Sequence, residues 1–217
     1  MHQSVQNALH DFLKQYEGKV NFMYLDVKGL VTVGIGHLID PVHMALKLEF
    51  RTKGGNSPVS GGEVQAEWQT VKSRTDLMQK GGAAFGAITR LELSDNGIKA
   101  MVKSSAAAIE NYIKTNPSAQ KYYSNFDNWP ADAQLAFMGV AWGGIPIPQF
   151  GWHKFPEACR VEDWDKAAAE CKITSPIAAG RNEAHKTMFL NAAAIKWNGE
   201  DIKQLSWPNR RGKIVTG

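Results

Sequence analysis

Cysteine is scarce in this chain: Cys159 and Cys171 are the only two among 217 residues. They show no CxxC spacing, and one pair cannot build the disulfide framework of a small secreted domain. The expectation is two small apolar core residues in a protein made in a reducing compartment. Long apolar runs are also lacking. None approaches the roughly 20 residues that a membrane span needs, and the N-terminal stretch carries polar groups throughout instead of a secretory apolar region. Synthesis in the cytoplasm without a signal peptide of its own, and no membrane span, are therefore expected. Neither sign of charge dominates: 25 Lys and Arg against 21 Asp and Glu leave +4. So small a surplus favours approach to a polyanion such as cell wall or nucleic acid without requiring one. No internal repeat is visible. What is present, 43% hydrophobic and 21% charged residues, is the balance of a globular protein with one sizeable core, or two lobes sharing one.

Val5, Leu9, Phe12, Leu13 and Tyr16 recur at three- and four-residue intervals and predict a helix over about 4–16. Glu17 continues that apolar stripe at the helix C-terminus, where the macrodipole is negative and a surface carboxylate gains nothing. Gly18 supplies the stop. From Phe22 the period changes to two. Phe22, Tyr24 and Asp26 project to one side, Lys28-Gly29 forms the turn, and Val31, Val33 and Ile35 alternate with Thr32 and Gly34. A β-hairpin follows, in which Thr32 returns roughly level with Tyr24 to Asp26, within the ~5–8 Å of cross-strand neighbours.

Asp40-Pro41 reads as the start of a short helix to about residue 50, and 51–59 is loop by composition. Ser60 and Glu63 form a capping-box pattern ahead of Val64, Trp68 and Val71. The signal fades around Gly81 and Gly82. A long helix starts at the N-cap Ser94, carries Ile98, Met101, Val102, Ser105, Ile109, Tyr112 and Ile113, and stops at Asn116-Pro117. At least three more helices follow, at about 130–142, 162–172 and 181–197. The second of these shows Trp164, Ala167, Ala168 and Cys171 on one face. The tail SWPNRRGKIVTG is basic, polar and expected to be loosely held. Phe12, Leu13, Met101, Ile109 and Trp164 are expected in the core.

Unusual polar residues cluster around the hairpin. Glu17, Asp26 nine residues later and Thr32 six after that would face the region between hairpin and helix. Two carboxylates in one site suit glycosidic cleavage: one protonated, to donate to the leaving oxygen, and the other ionised, to activate water or steady charge at the anomeric carbon. Glu17, partly desolvated, is the one whose pKa the surroundings should raise. Asp26, by a turn, should stay more solvated and ionised.

These residues also resemble a known family, the phage-type (T4-like) lysozymes. The family signature runs Glu, eight residues, Asp, five residues, Thr, then Gly-x-Gly-His, and this chain carries it ungapped as Glu17, Asp26, Thr32, Gly34, Gly36 and His37. The resemblance implies that Glu17 is the general acid while Asp26 and Thr32 position or activate the attacking water. It further implies substrate contacts at Tyr24, Gly36, His37, Trp142 and Arg181. Weaker similarity covers the second half: DAQLAFMGVAWGG looks like the buried helix facing the cleft, DWDKAAAE like a later helix, and GRNEAHK like the start of the last one. The middle, roughly 50–93, does not match. One departure is Gly143 after Trp142, where family members often carry Asn or Gln. The inserted segment and the ending look most like the lysozyme domains of bacterial type VI secretion effectors.

Other constellations point elsewhere. His37, Asp40 and His43 have the types of metal ligands, but the resemblance implies that His37 bonds a carboxylate, and His43 reads as a helix-surface residue. Gly34-Ile-Gly36 lacks the βαβ setting of a dinucleotide loop and reads as close backbone approach in a cleft. Cys159 or Cys171 with His185 would suit a thiol amidase, against which stand core cysteines and an exposed His185. Trp207, Arg210 and Arg211 would suit an anionic polymer, against which stands a solvated tail.

The expected fold is α+β, mainly α, and lysozyme-like. It is a single domain over 1–217, with a hairpin-containing lobe at about 18–93 that includes an insertion, and a helical lobe from 1–17 and about 94–217. A long helix would join the lobes, with a glycan cleft between them. The expected activity is hydrolysis of the β-1,4 bond between N-acetylmuramic acid and N-acetylglucosamine in peptidoglycan by a monomer, without metal or cofactor. Its partners would be glycan strands and, for a secretion effector, an immunity protein, with no nucleic acid. It would act on the cell wall, in the periplasm of a target or host cell. The alternatives are a lytic transglycosylase and a catalytically silent peptidoglycan-binding module.

Overall fold

The first helix forms where the apolar stripe predicts it. Helix α1, Gln3–Glu17, buries Val5, Leu9, Phe12 and Leu13, and Gly18 follows it with φ +73°. Leu13 is 0% exposed, so Leu13→Ala is expected to cost about 2–5 kcal/mol. The cost should appear as a fall in Tm of several degrees; an unmoved Tm would show the register to be wrong.

The computed structural model describes residues 1–174 and 179–214. It is α+β and mainly helical, 60% helix with small antiparallel sheets. Its contacts divide the chain into two units: residues 17–104, and residues 1–16 with 105–217. Glu17 therefore groups with the hairpin although it is the last residue of α1.

In the first unit, β1 (Val20–Leu25), β2 (Val31–Gly34) and β3 (His37–Leu38) form an antiparallel sheet in that order. Met23 and Leu25 are buried while Phe22 and Tyr24, on the other face of β1, are half-buried, the alternation that a strand imposes. Phe22 and Tyr24 pack on a 3-10 segment, Gly82–Ala87. A Cβ at Gly82 or Gly86 would come to 3.1 Å from the Tyr24 or Phe22 ring. The glycines that weaken the sequence signal there are what let two rings lie close to the backbone.

The segment 51–59, expected to be loop, contributes β4 (Arg51–Thr52), which pairs with β5 (Leu91–Glu92). A pairing of two residues across some forty leaves no period to read. The helix expected after Pro41 is a 3-10 turn, Val42–Lys47. Helix α2, Gly61–Ser73, opens with the full capping box of Ser60 and Glu63, and buries Glu67. The Glu67 carboxylate accepts from the backbone N–H groups of Arg90 (2.6 Å) and Leu91 (2.9 Å), which fastens the start of β5. Helix α3, Asp95–Thr115, begins after Ser94, whose hydroxyl accepts from Gly97 N at 2.9 Å. Ile109 on it is only half-buried, a correction to the expected core; Ala106, one turn earlier, is 2% exposed.

The second unit adds α4 (Pro117–Tyr123), α5 (Ala131–Ala141), α6 (Lys154–Arg160), α7 (Trp164–Glu170) and α8 (Ala179–Asn198). Every residue of α5 is buried, Asp132 and Gln134 among them, so the helix is enclosed on all sides, as a central helix is. Around it Tyr123, Phe126, Trp129 and Phe137 pack ring against ring at 4.7 to 6.1 Å. Cys159 and Cys171 are buried free thiols, as expected.

The tail is not loosely held. Buried Asp132 accepts from Ser206 N at 2.8 Å and Trp207 N at 3.0 Å. Asn191 bonds Asn209 O and Arg211 N, both at 2.8 Å. The polar composition of the tail conceals that its backbone satisfies buried side chains; residues 215–217 lie outside the described residues.

His185, expected to be exposed, is 0% exposed. Its ring lies 5.8 Å from that of Phe12, and neither ring nitrogen has a hydrogen-bond partner among the described residues. Burial, and secondly the charge of Arg181, push its pKa down to about 3 from 6.5. The unfolded chain takes up the proton first, so stability is lost as pH falls from about 6.5 towards 3. Denaturant titrations should find that His185→Leu loses about 3 kcal/mol less than the parent between about pH 7 and pH 4. Equal losses would show that the buried ring is not what acid attacks.

Candidate active site

The hairpin turn is built by one of the candidate carboxylates. Asp26 Oδ1 accepts from Lys28 N at 2.8 Å and Leu30 N at 2.9 Å, while its backbone N donates to Leu30 O at 2.9 Å. These bonds close the loop in the manner of an Asx turn. Its second oxygen, Oδ2, takes no hydrogen bond among the described residues. The turn therefore orients the carboxylate and leaves one oxygen for other work.

Thr32 pairs directly with Tyr24 across the ladder, and Val31 with Leu25. This is the register expected from the alternation. Thr32 is 4% exposed, and its hydroxyl donates to Leu30 O at 3.2 Å, which leaves the oxygen lone pairs to accept. Tyr24 feels both carboxylates: burial first, then the charges of Asp26 and Glu17, push its phenol up to about 12. It remains a neutral donor at any physiological pH. Glu17 is half-buried at the end of α1. The structure thus brings Glu17, Tyr24, Asp26 and Thr32 into one unit.

Gly34 and Gly36 have φ of +69° and +68°, and a Cβ at Gly34 would come to 2.5 Å from Met101 Cε. Gly36 is exposed and His37, half-buried, opens β3. Burial holds the His37 ring below its ordinary pKa, so it serves as a neutral imidazole.

A support behind the turn has no counterpart among the sequence expectations. Lys72 of α2 donates to Gly29 O at 2.8 Å and to Asp40 Oδ2 at 2.5 Å, and the same Asp40 oxygen accepts from Val31 N at 3.1 Å. Burial pushes the Asp40 carboxyl up, but the bonds from Lys72 and Val31 outweigh it and hold the group below the usual carboxylate range. The only signal in the sequence is a lysine beside the apolar stripe of Val64, Trp68 and Val71. Asp40 thus has a bracing role, and His43 is exposed. Among the described residues no group of three His, Cys, Asp or Glu stands close enough to hold a metal ion.

Trp142 and Arg181 belong to the second unit. Trp142, half-buried, follows the last residue of α5, and buried Arg181 in the first turn of α8 donates from Nη2 to Gly139 O at 2.5 Å. Arg181 also borders a cleft of about 510 Å³ with Gly143, Gly144, Phe150, Trp152 and Glu170. Nothing lies within 4 Å of where a Cβ on Gly143 would stand, so the departure at this position leaves open space. Cys171 is pushed by burial up to about 12, and Cys159 is also driven well above its ordinary value, so neither supplies a thiolate. No helix among the described residues is long and apolar enough to cross a membrane. No family model matches the chain, and no curated protein matches it.

Proposed function

We propose that the chain is a muramidase, cutting the β-1,4 bond between N-acetylmuramic acid and N-acetylglucosamine of peptidoglycan with a lysozyme-like fold of the T4-like kind. The observation that carries this reading is the hairpin register. It sets Thr32 opposite Tyr24 and Asp26 at the turn, with Glu17 and Asp26 both acting on the Tyr24 hydroxyl. Glu17 gives its proton to the glycosidic oxygen as the bond to the anomeric carbon breaks. A water donates one O–H to Asp26 Oδ2 and the other to Thr32 Oγ1, which turns its lone pair to that carbon. As the new bond forms, Asp26 takes the surplus proton. No metal or cofactor enters these steps. Tyr24, Gly36 and His37 are the glycan contacts that the resemblance supports in the hairpin unit, and Trp142 and Arg181, near the open cleft at Gly143, are those it supports in the helical unit. A lysozyme domain of a secretion effector, acting in the periplasm and restrained by an immunity protein, is the setting that the resemblance supports.

The test is incubation of purified peptidoglycan with the full chain. Turbidity should fall as new reducing ends appear, without free peptide. Co-sedimentation without loss of turbidity would make the chain a binding module. Free peptide without reducing ends would make it an amidase, a reading that the two buried thiols already oppose.

A further inference from the structure

Tyr16 and Trp207 are far apart in sequence, yet both rings lean on one side chain. Phe12, 1% exposed, has its ring 5.1 Å from that of Tyr16 and 5.2 Å from that of Trp207. Fixed by this wedge, the two half-buried rings border a cleft of about 590 Å³ whose wall also includes Gln15, Glu183, Thr187 and Arg210. That volume lies within the roughly 300–1,000 Å³ of small-molecule sites. Trp207 is held by its backbone, through Asp132, so the ring is preorganised, and its indole N–H takes no hydrogen bond among the described residues.

Charge decides the class of ligand. Arg210 pairs with Glu183 at 3.1 Å, and among the described residues no other charged side chain lines the cleft, so its net charge is zero and it does not select a polyanion. Arg211 is occupied with Ser206 Oγ at 3.1 Å. A wholly apolar ligand would strip water from Gln15, Glu183 and Thr187 without replacing their hydrogen bonds. A pyranose fits both demands, with a C–H face to lie on the rings and a rim of hydroxyls to meet donors and acceptors. We infer that this cleft binds a neutral saccharide unit, as a second glycan site built from residues other than those of the hairpin. The choice of an N-acetylated β-1,4 glycan as probe rests on the muramidase reading; the preference for a neutral sugar does not.

The test uses the full chain carrying Glu17→Gln, so that no turnover occurs, titrated with chitotetraose. Its seven tryptophans give separate indole N–H signals in a proton-nitrogen correlation spectrum, and Trp207→Phe identifies one by deleting it. That signal should shift and saturate. Gly180→Leu adds a side chain whose Cβ would lie 3.8 Å from Tyr16 Cε1, an ordinary contact that obstructs the cleft without strain. It should weaken the response at least about tenfold. The inference is overturned if the signal stays still, moves equally in Gly180→Leu, or moves only with a heparin hexasaccharide. Lysis by the parent with an unmoved signal removes the second site and keeps the muramidase; a moved signal without lysis does the reverse.

Discussion

Glu17→Gln is expected to reduce peptidoglycan lysis by about 10²–10⁴-fold, the usual contribution of a positioned general acid, with the fold unchanged. The amide keeps the size and the acceptor oxygen of the carboxyl but has no proton to give to the leaving oxygen. Because Glu17 is half-buried at a helix end followed by Gly18, the exchange disturbs neither the apolar face of α1 nor its stop. Lysis rates paired with melting curves check it. A variant that melts like the parent and retains a third of its rate would show that Glu17 is not the acid.

The second large effect is expected from Asp26→Asn. This residue has two tasks, and the substitution separates them. An Asn oxygen still accepts from Lys28 and Leu30 N–H, so the turn should form and Tm should hold. The negative charge is lost, and with it the acceptor for the water's proton, so release of product should slow by about 10²-fold or more. Product mass adds an independent reading. If water attacks, the parent's products are reducing muropeptides, each one water heavier than the anhydro forms left by a lytic transglycosylase. Predominantly anhydro ends would remove the water-holding role of Asp26 and Thr32 even if Glu17 stayed essential. Asp26→Ala, which also deletes the turn acceptor, should in addition lower Tm.

Much of the first forty residues is legible in the amino-acid order. The stripe of Val5, Leu9, Phe12 and Leu13 spans several turns, and Tyr24 and Thr32 sit symmetrically about a turn of few residues, so local periodicity suffices. The Ser60–Glu63 box and the face of Trp164, Ala167, Ala168 and Cys171 are local signals of the same kind. Pairings across distance are not legible. The bond from Glu67 to the start of β5, the β4–β5 ladder and the hold of Asp132 on Ser206 and Trp207 each join residues tens of positions apart. Helices α4 and α6, seven residues each, are not among the helices the sequence predicts, whereas the equally short α7 shows its face in Trp164, Ala167 and Ala168. At the candidate site the hairpin geometry can be read from alternation, but the brace of Lys72 on Asp40 cannot. The chemical roles come from two carboxylates in register and a family likeness.

The division of the chain has a consequence for its birth on the ribosome. Residues 17–104 are one continuous stretch, whereas the other unit needs both residues 1–16 and residues 105–217. The hairpin stretch can therefore condense as soon as it has emerged, while α1 waits. Its partners are made much later: Phe12 packs against His185 and Trp207, and Asp132 finds its backbone donors at Ser206 and Trp207. Until those residues emerge, a buried carboxylate lacks its backbone donors and an aromatic face lacks its cover. Translation thus imposes an order in which the carboxylate turn matures early and the helical unit closes only after Ser206 and Trp207 have emerged, which leaves the apolar face of α1 open to misassociation in the interval.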